Sequence, residues 1–501
     1  MLVDFRPHTR LRASSKQPVD FTGALAPVVA ALVEADTDLS RVRVVCDWVQ
    51  YQESFREAVE VRPILAVPGT RIAEDPTPAS PTVRDDDMEI ALDVRRCGDG
   101  ETGRRARAAL VGLRDGHPDR VPLEEWGPTG ASCIWDFNGL YWKALEDWER
   151  ATGRGYEQAL PGGESDARNA DGARALIDGL FGVWDRLAAR NALPAELYVV
   201  ELGVGNGSQA AVFLEEFAAV DAERGREYYR RLHYLMCDYS PHVLARAREA
   251  VASHDEHVSS FVLDATTPST ALGFLQYKVF LVYVSNVYDN LPTDEVAQLG
   301  GRTYVVQSRA YLPAAAVAGL AEATSATSEL VPGLVAKLLR RGPALLADAA
   351  PAHFAGVDDA VAFWRTVWSA LRLEERYVPI PGLDLYAIAP DVGGEALRPL
   401  LESGADIRMH VSNGAVASFT DTLRLLHPFG TLICHDLFVT DPQSYRTRFA
   451  GPGKYDGSVV NWVNGALLAH IGRRRGFDVT YAPFAHRTGT NIVTMTAQVR
   501  D

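Results

Sequence analysis

Val199-Val200-Glu201-Leu202-Gly203-Val204-Gly205-Asn206-Gly207-Ser208 decides how this chain folds: an apolar run closes on an acid, passes a G-x-G-x-G turn and opens a helical stretch at Gln209. The valines and leucine read as a buried strand. Glycine is required where the backbone turns sharply and a ligand must approach it with no Cβ between them. Taken alone, the stretch is equally explained by a tight, ligand-free turn between strand and helix. Its neighbours shift the balance. The next strand, His233 to Cys237, ends on Asp238 within Leu235-Met236-Cys237-Asp238-Tyr239-Ser240-Pro241, and the one after, Ser260 to Leu263, ends on Asp264-Ala265. Asp238 can accept hydrogen bonds from both hydroxyls of a ribose, and Asp264 can accept one from an adenine amino group. Successive strands thus end in ligand-type residues on the carboxyl edge, where open α/β sheets bind ligands. A dinucleotide fold would want a third glycine at position 208 and a ribose acid about 20 residues on. Position 208 is Ser and Asp238 lies well beyond that distance, which leaves NAD as the second-choice cofactor.

Outward from this centre, strands alternate with helices, the pattern of a mostly parallel sheet covered on both faces. Seven strands are expected, at Leu197 to Leu202, His233 to Cys237, Ser260 to Leu263, Val279 to Val284, Thr431 to His435, Asp478 to Pro483 and Asn491 to Thr496. Helices are expected at Gln209 to Val220, His242 to Ser253 and Val416 to Leu426. The fold class is α/β: a Rossmann-like seven-stranded sheet with a helical insertion and an N-terminal accessory region. Residues 1–125 form the accessory region, with a Pro-rich loop over 66 to 88 that holds Asp85-Asp86-Asp87. Residues 126–312 carry a helical lead-in (Trp135, Leu140, Trp142, Leu145, Trp148) and the first half of the core. Residues 313–404 read as a helical insertion able to form a lid, and 405–501 as the second half of the core.

The series Glu201 with G-x-G-x-G, Asp238-x-Ser240-Pro241 and Asp264-Ala265 resembles the class I S-adenosylmethionine (SAM) dependent methyltransferases over about residues 195 to 310, and the last strand pair fits that family's terminal antiparallel hairpin. The resemblance implies SAM as cofactor, held by Glu201, Gly203, Gly205, Asn206, Gly207, Asp238, Ser240, Asp264, Ala265 and Ser285. More narrowly, Ser285-Asn286-Val287-Tyr288-Asp289-Asn290-Leu291-Pro292 is similar to the S-N-E-x-x-D-x-L-P segment of the MidA family, whose mitochondrial members act on arginine in a respiratory complex I subunit. Gly430 to Asp436, Gly451-Pro452-Gly453-Lys454-Tyr455-Asp456 and Asn461-Trp462-Val463-Asn464 resemble later blocks of that family. The family's glutamate, which could clamp a guanidinium, is missing. Asn286 and Tyr288 stand where neutral hydrogen bonds could orient an amine or hydroxyl, and His435 with Asp436 ends the fifth strand, where a general base would act. Asp289, Tyr455, Asp456, Asn461 and Trp462 are the expected acceptor wall. Helix caps, an Asx turn and ordinary packing are the plain alternatives for these residues.

Totals bound the rest. The chain has 501 residues, 47% hydrophobic and 23% charged, enough for a full core and two or three folding units. Its net charge of -15 repels phosphate backbones, so no nucleic-acid partner is expected. Five scattered cysteines with no C-x-x-C pair, and no histidines at metal-ligand spacing, predict neither disulfides nor a metal. No long apolar run or signal-like start occurs, which predicts a cytoplasmic chain with no membrane partner. Three functions fit: methyl transfer to O or N of a small-molecule or peptide acceptor, protein arginine methylation of the MidA type, and a non-catalytic assembly or binding protein keeping the fold. A homodimer is compatible with each.

Overall fold

The computed structural model describes residues 1–5, 21–47, 53–66, 87–97, 100–156, 170–401, 406–446, 451–486 and 489–500. The loop expected over 66 to 88 lies almost wholly outside the described residues. The chain opens with β1 (Leu2–Phe5), α1 (Phe21–Glu34), β2 (Val42–Asp47), β3 (Val59–Pro63), β4 (Met88–Asp93) and α2 (Thr102–Asp115), whose strands form one sheet in the order β1-β2-β4-β3. Val28, Ala31 and Leu32, spaced three and four apart on α1, bury one helix face against Val44, Ile90 and Leu92 of the sheet.

Three helices, α3 (Ile134–Lys143), α4 (Leu145–Thr152) and α5 (Ala170–Ala188), lead into the core. There β5 (Leu197–Leu202), α6 (Ser208–Glu223), β6 (Leu232–Asp238), α7 (Pro241–Ala250), β7 (Val258–Val262) and β8 (Val279–Ser285) alternate as expected. β5 and β8 are buried along most of their length, which is why they read as continuous apolar runs.

The interruption after β8 is not the purely helical insertion expected at 313–404. It begins earlier, with β9 (Glu295–Leu299) and β10 (Arg302–Pro313), continues through α8 (Ala314–Ala323), α9 (Val331–Ala349) and α10 (Val357–Ala370), and adds β11 (Arg372–Pro379) and β12 (Ile407–His410). The strands form an antiparallel sheet in the order β11-β10-β9-β12, to which Arg120–Pro122 and Gly127–Pro128 add by pairing with β10. The boundary drawn at 125 therefore falls between two segments of one sheet. Gly300 and Gly301, at φ 54° and 77°, make the two-residue turn from β9 to β10, since both positions demand positive φ.

The chain then returns to the core through α11 (Asn413–Thr422) and β13 (Leu426–Asp436), forms a small hairpin of β14 (Gly453–Tyr455) and β15 (Ser458–Val460), and closes with α12 (Gly465–Arg474), β16 (Phe477–Pro483) and β17 (Val493–Val499). The seven-stranded sheet runs β7-β6-β5-β8-β13-β17-β16. Its first five members are parallel, and β17 pairs antiparallel with both β13 and β16. In core-strand order this is 3-2-1-4-5-7-6 with the seventh strand reversed, the class I methyltransferase fold.

The N-terminal sheet is fastened to the inserted one by buried charge. Arg62 on β3 meets Glu60 at 2.6 Å, Glu89 of β4 at 2.9 Å and Glu375 of β11 at 2.8 Å. Arg408 on β12 pairs with Glu295 of β9 and, at 2.8 Å, with Glu375. Tyr377 donates to Glu89 at 2.7 Å, which closes the network. No helix among the described residues is long and apolar enough to cross a membrane.

Candidate active site

The carboxyl ends of β5, β6 and β8 open onto a cavity of about 2010 Å³, roofed by α3, α4 and α10 and by the β14–β15 hairpin. The glycine turn forms its floor. Gly203, Gly205 and Gly207 all have positive φ, at 76°, 58° and 80°. Their reasons differ. A Cβ on Gly203 would come within 2.3 Å of Val287, and one on Gly205 within 2.8 Å of the Tyr156 hydroxyl, which lies over the turn. A Cβ on Gly207 would meet the Ala247 backbone at 2.6 Å; this glycine lets α6 approach α7 and does not line the cavity, contrary to its expected place in the binding set. Asn206 accepts from Ser208 N at 3.1 Å and sets the entry to α6.

Asp238 closes β6 with one carboxylate oxygen accepting from Gly205 N at 3.3 Å and the other from Ser240 N at 3.0 Å. Burial raises its pKa to about 6 despite these bonds. Glu201, closing β5, is pushed up to about 8 by burial, although Tyr234 donates to it at 2.7 Å. Asp264 is exposed, accepting from the amide and hydroxyl of Thr266 at 2.8 and 2.7 Å, and lines the cavity with Ala265 and Ser285. Ser240 is fully buried and caps α7, accepting from Val243 N; its expected role in cofactor binding is corrected to a helix cap.

The second group of expected residues divides more sharply. Asn286 lines the cavity in the left-handed region, φ 53°, its amide donating to His435 O at 3.0 Å. Tyr288 turns the other way into the core and is almost fully buried, so it orients nothing in the cavity. Asp436 does not face the cavity either. Its Oδ2 accepts from Val287 N at 3.2 Å, Tyr288 N at 2.8 Å and Asp289 N at 3.4 Å, and its Oδ1 from Leu437 N at 2.7 Å. It pins the turn that follows β8. His435, one residue earlier and therefore on the opposite sheet face, accepts from or donates to Thr494 Oγ1 at 2.9 Å, packs against Tyr283 and Phe484, and has its pKa lowered to about 4 by burial. It is absent from the cavity wall, which corrects the assignment of a general base there.

Of the expected acceptor wall, Asp289, Tyr455 and Asp456 line the cavity, whereas Asn461 and Trp462 do not. Asn461 is buried and accepts from Trp462 N at 2.9 Å, and Trp462 packs against the main core. Asp456 sits at the hairpin tip with φ 50°, accepting from Tyr141 Oη and Trp148 Nε1, each at 3.0 Å. Those bonds fasten the hairpin to α3 and α4.

Four lining residues were not anticipated: Asn138, Tyr156, Gln209 and Lys454. Asn138 on α3 donates to Asn290 O at 2.9 Å and accepts from Val459 N at 2.9 Å, tying the turn after β8 to the hairpin. Asn138→Ala is expected to lower unfolding free energy by about 1–3 kcal/mol, since both backbone partners lose a buried mate; urea denaturation reads the change. Lys454 is buried, donating to the carbonyls of Trp368, Ser369 and Leu371 past the end of α10, and its position between charged neighbours Asp456 and Arg372 carried no periodic signal. Gln209, in the first turn of α6, presents a buried Oε1 with no hydrogen-bond partner to the space beside the glycine turn.

No family model matches the chain, and no curated protein matches it. Among solved structures the chain is similar to a COG1565 superfamily member from Burkholderia thailandensis bound to S-adenosyl-homocysteine, with 14% identity over 79% of this chain and 92% of that one and a TM-score of 0.42. A native structure of a COG1565 superfamily protein from the same organism gives 14% identity, 79% and 91% coverage and a TM-score of 0.40. The DszA carbon methyltransferase gives 12% identity, 83% and 74% coverage and a TM-score of 0.32.

Proposed function

We propose that this chain is a SAM-dependent methyltransferase acting on O or N of a small-molecule or peptide acceptor. The observation that carries the reading is the convergence of the glycine turn and three consecutive strand-end acids, Glu201, Asp238 and Asp264, on one cavity at the carboxyl edge of a 3-2-1-4-5-7-6 sheet. Asp238 would take the ribose hydroxyls, Asp264 the adenine amino group, and the free Oε1 of Gln209 a donor of the amino-acid portion. The glycine floor fits a ligand because Cβ atoms would fill it. When bound, SAM supplies an activated methyl and its own leaving group, so the chain's task is to bind, align and exclude water. A cavity of about 2010 Å³ exceeds the roughly 300–1,000 Å³ usual for one ligand, and so leaves room for an acceptor beside the cofactor. Asn286 in place of an acid favours a neutral amine or hydroxyl over a guanidinium.

Incubation with methyl-labelled SAM and separate panels of small amines, small alcohols and phenols, and arginine-containing peptides tests the reading. Label in a small-molecule or non-arginine peptide acceptor supports it; label confined to arginine side chains contradicts the acceptor assignment.

The pH dependence follows from Asp238. Its folded pKa, about 6, lies above the ordinary value, so ionising it removes stability from the free protein as pH rises between about 4 and 6. A ligand that hydrogen-bonds to the carboxylate prefers the ionised form. S-adenosyl-homocysteine affinity is therefore expected to fall by up to about tenfold per unit as pH drops below 6, and titrations at pH 5, 6 and 7 measure it.

A further inference from the structure

Asp289 and Asp436 stand out among buried groups because they are two carboxyls side by side with unequal surroundings. Asp436 is fully buried and accepts four backbone N–H bonds, three of them from residues 287–289. Asp289 is 5% exposed, lines the cavity, accepts one bond from Asn290 Nδ2 at 2.8 Å and hydrogen-bonds to the Asp436 carboxyl. Two carboxylates in contact away from water cannot both ionise cheaply, so such a pair keeps a proton between them. The backbone donors settle where the remaining negative charge sits. They stabilise the ionised form of Asp436, whose pKa burial raises to about 6, while burial and then the Asp436 charge drive Asp289 well above the usual carboxylate range. The titratable groups that face the pair are Cys434, beneath both carboxyls, and Tyr288, beside Asp436; burial holds both neutral.

We infer that Asp289 and Asp436 work as a single-proton carboxyl pair, in which Asp289 is the cavity's proton-accepting group for the methyl acceptor and Asp436 is its positioning residue. The inference rests on the methyltransferase reading. Asp289 accepts the proton that an O–H or N–H releases as its oxygen or nitrogen bonds the methyl carbon and the old carbon–sulfur bond breaks, the electron pair staying on sulfur. The monoanionic pair becomes a neutral diacid and returns its proton to solvent once product leaves. This assigns to Asp289 the task that the placement of His435 denies to the imidazole.

The test uses the full chain, its Asp289→Asn variant, and two ligands. S-adenosyl-homocysteine reports whether the cofactor site is intact. Sinefungin, in which an amine-bearing carbon replaces the methylated sulfur, places a cation where the reacting methyl would be and so senses the pair's negative charge. Infrared spectra at pH 7.5 read the carboxylic-acid C=O absorption directly; Glu201 contributes equally to both proteins. The expected result is an acid absorption in the wild type that Asp289→Asn lacks, S-adenosyl-homocysteine affinity within about threefold of wild type, and sinefungin affinity weakened at least about tenfold, the scale of one buried charge-assisted hydrogen bond. Retained S-adenosyl-homocysteine binding with unchanged sinefungin affinity, or with the acid absorption unaltered, overturns the inference. Failure of the wild type to bind S-adenosyl-homocysteine overturns instead the reading beneath it.

Discussion

Asp238→Ala is expected to weaken S-adenosyl-homocysteine binding by at least about a hundredfold. Two effects combine. A carboxylate that accepts from two ribose hydroxyls makes charge-assisted bonds of about 1.5–3 kcal/mol each. The same carboxylate holds the amides of Gly205 and Ser240 at 3.3 and 3.0 Å, so its removal also loosens the glycine turn on which the ligand lies. Asp238→Asn keeps one acceptor and should recover part of the loss. Calorimetric titration of the three proteins measures it, and a loss below about tenfold in Asp238→Ala would show that the ribose is held elsewhere.

Arg408→Ala is expected to cost about 3–5 kcal/mol of stability. Arg408 is 4% exposed and pairs with Glu295 and Glu375, which are 1% and 5% exposed; alanine leaves Glu295 with its ion pair gone in a dry site. Burial alone would push the Glu375 carboxyl up, but Arg408 and Arg62 more than reverse it and hold it well below the carboxylate range. A carboxyl with a depressed folded pKa contributes stability above its unfolded pKa, and that contribution is lost as pH falls. The deficit of Arg408→Ala should therefore be full at pH 7 and shrink below about pH 4.5. Guanidinium denaturation at pH 7 and pH 4 checks both halves. Adding Glu295→Gln should restore part of the loss, because the stranded charge goes with it.

The seven core strands were legible because burial on both faces forces continuous apolar runs, and because each of the first three ends on an acid with a place at the cavity edge. The inserted sheet was not read, although Gly300-Gly301 between two alternating runs is a hairpin signal. The alanine-rich helix after Pro313 dominates that region, and β12 pairs with β9 across more than 100 residues of chain, which no local pattern reveals. At the site, cofactor-side residues followed strand ends and were found, whereas Asn138 and Lys454 act through tertiary contacts with distant backbone groups. His435 and Asp436 were placed at the right strand end but on the wrong side of it. One residue of register separates the two sheet faces, and neither His435 nor Asp436 reaches the cavity.

Titration calorimetry of the full chain with SAM, S-adenosyl-homocysteine and NAD in turn tests the central claim most directly. Micromolar binding of both sulfur nucleotides with no binding of NAD is the predicted result; binding of NAD instead, or of none of the three, would contradict it.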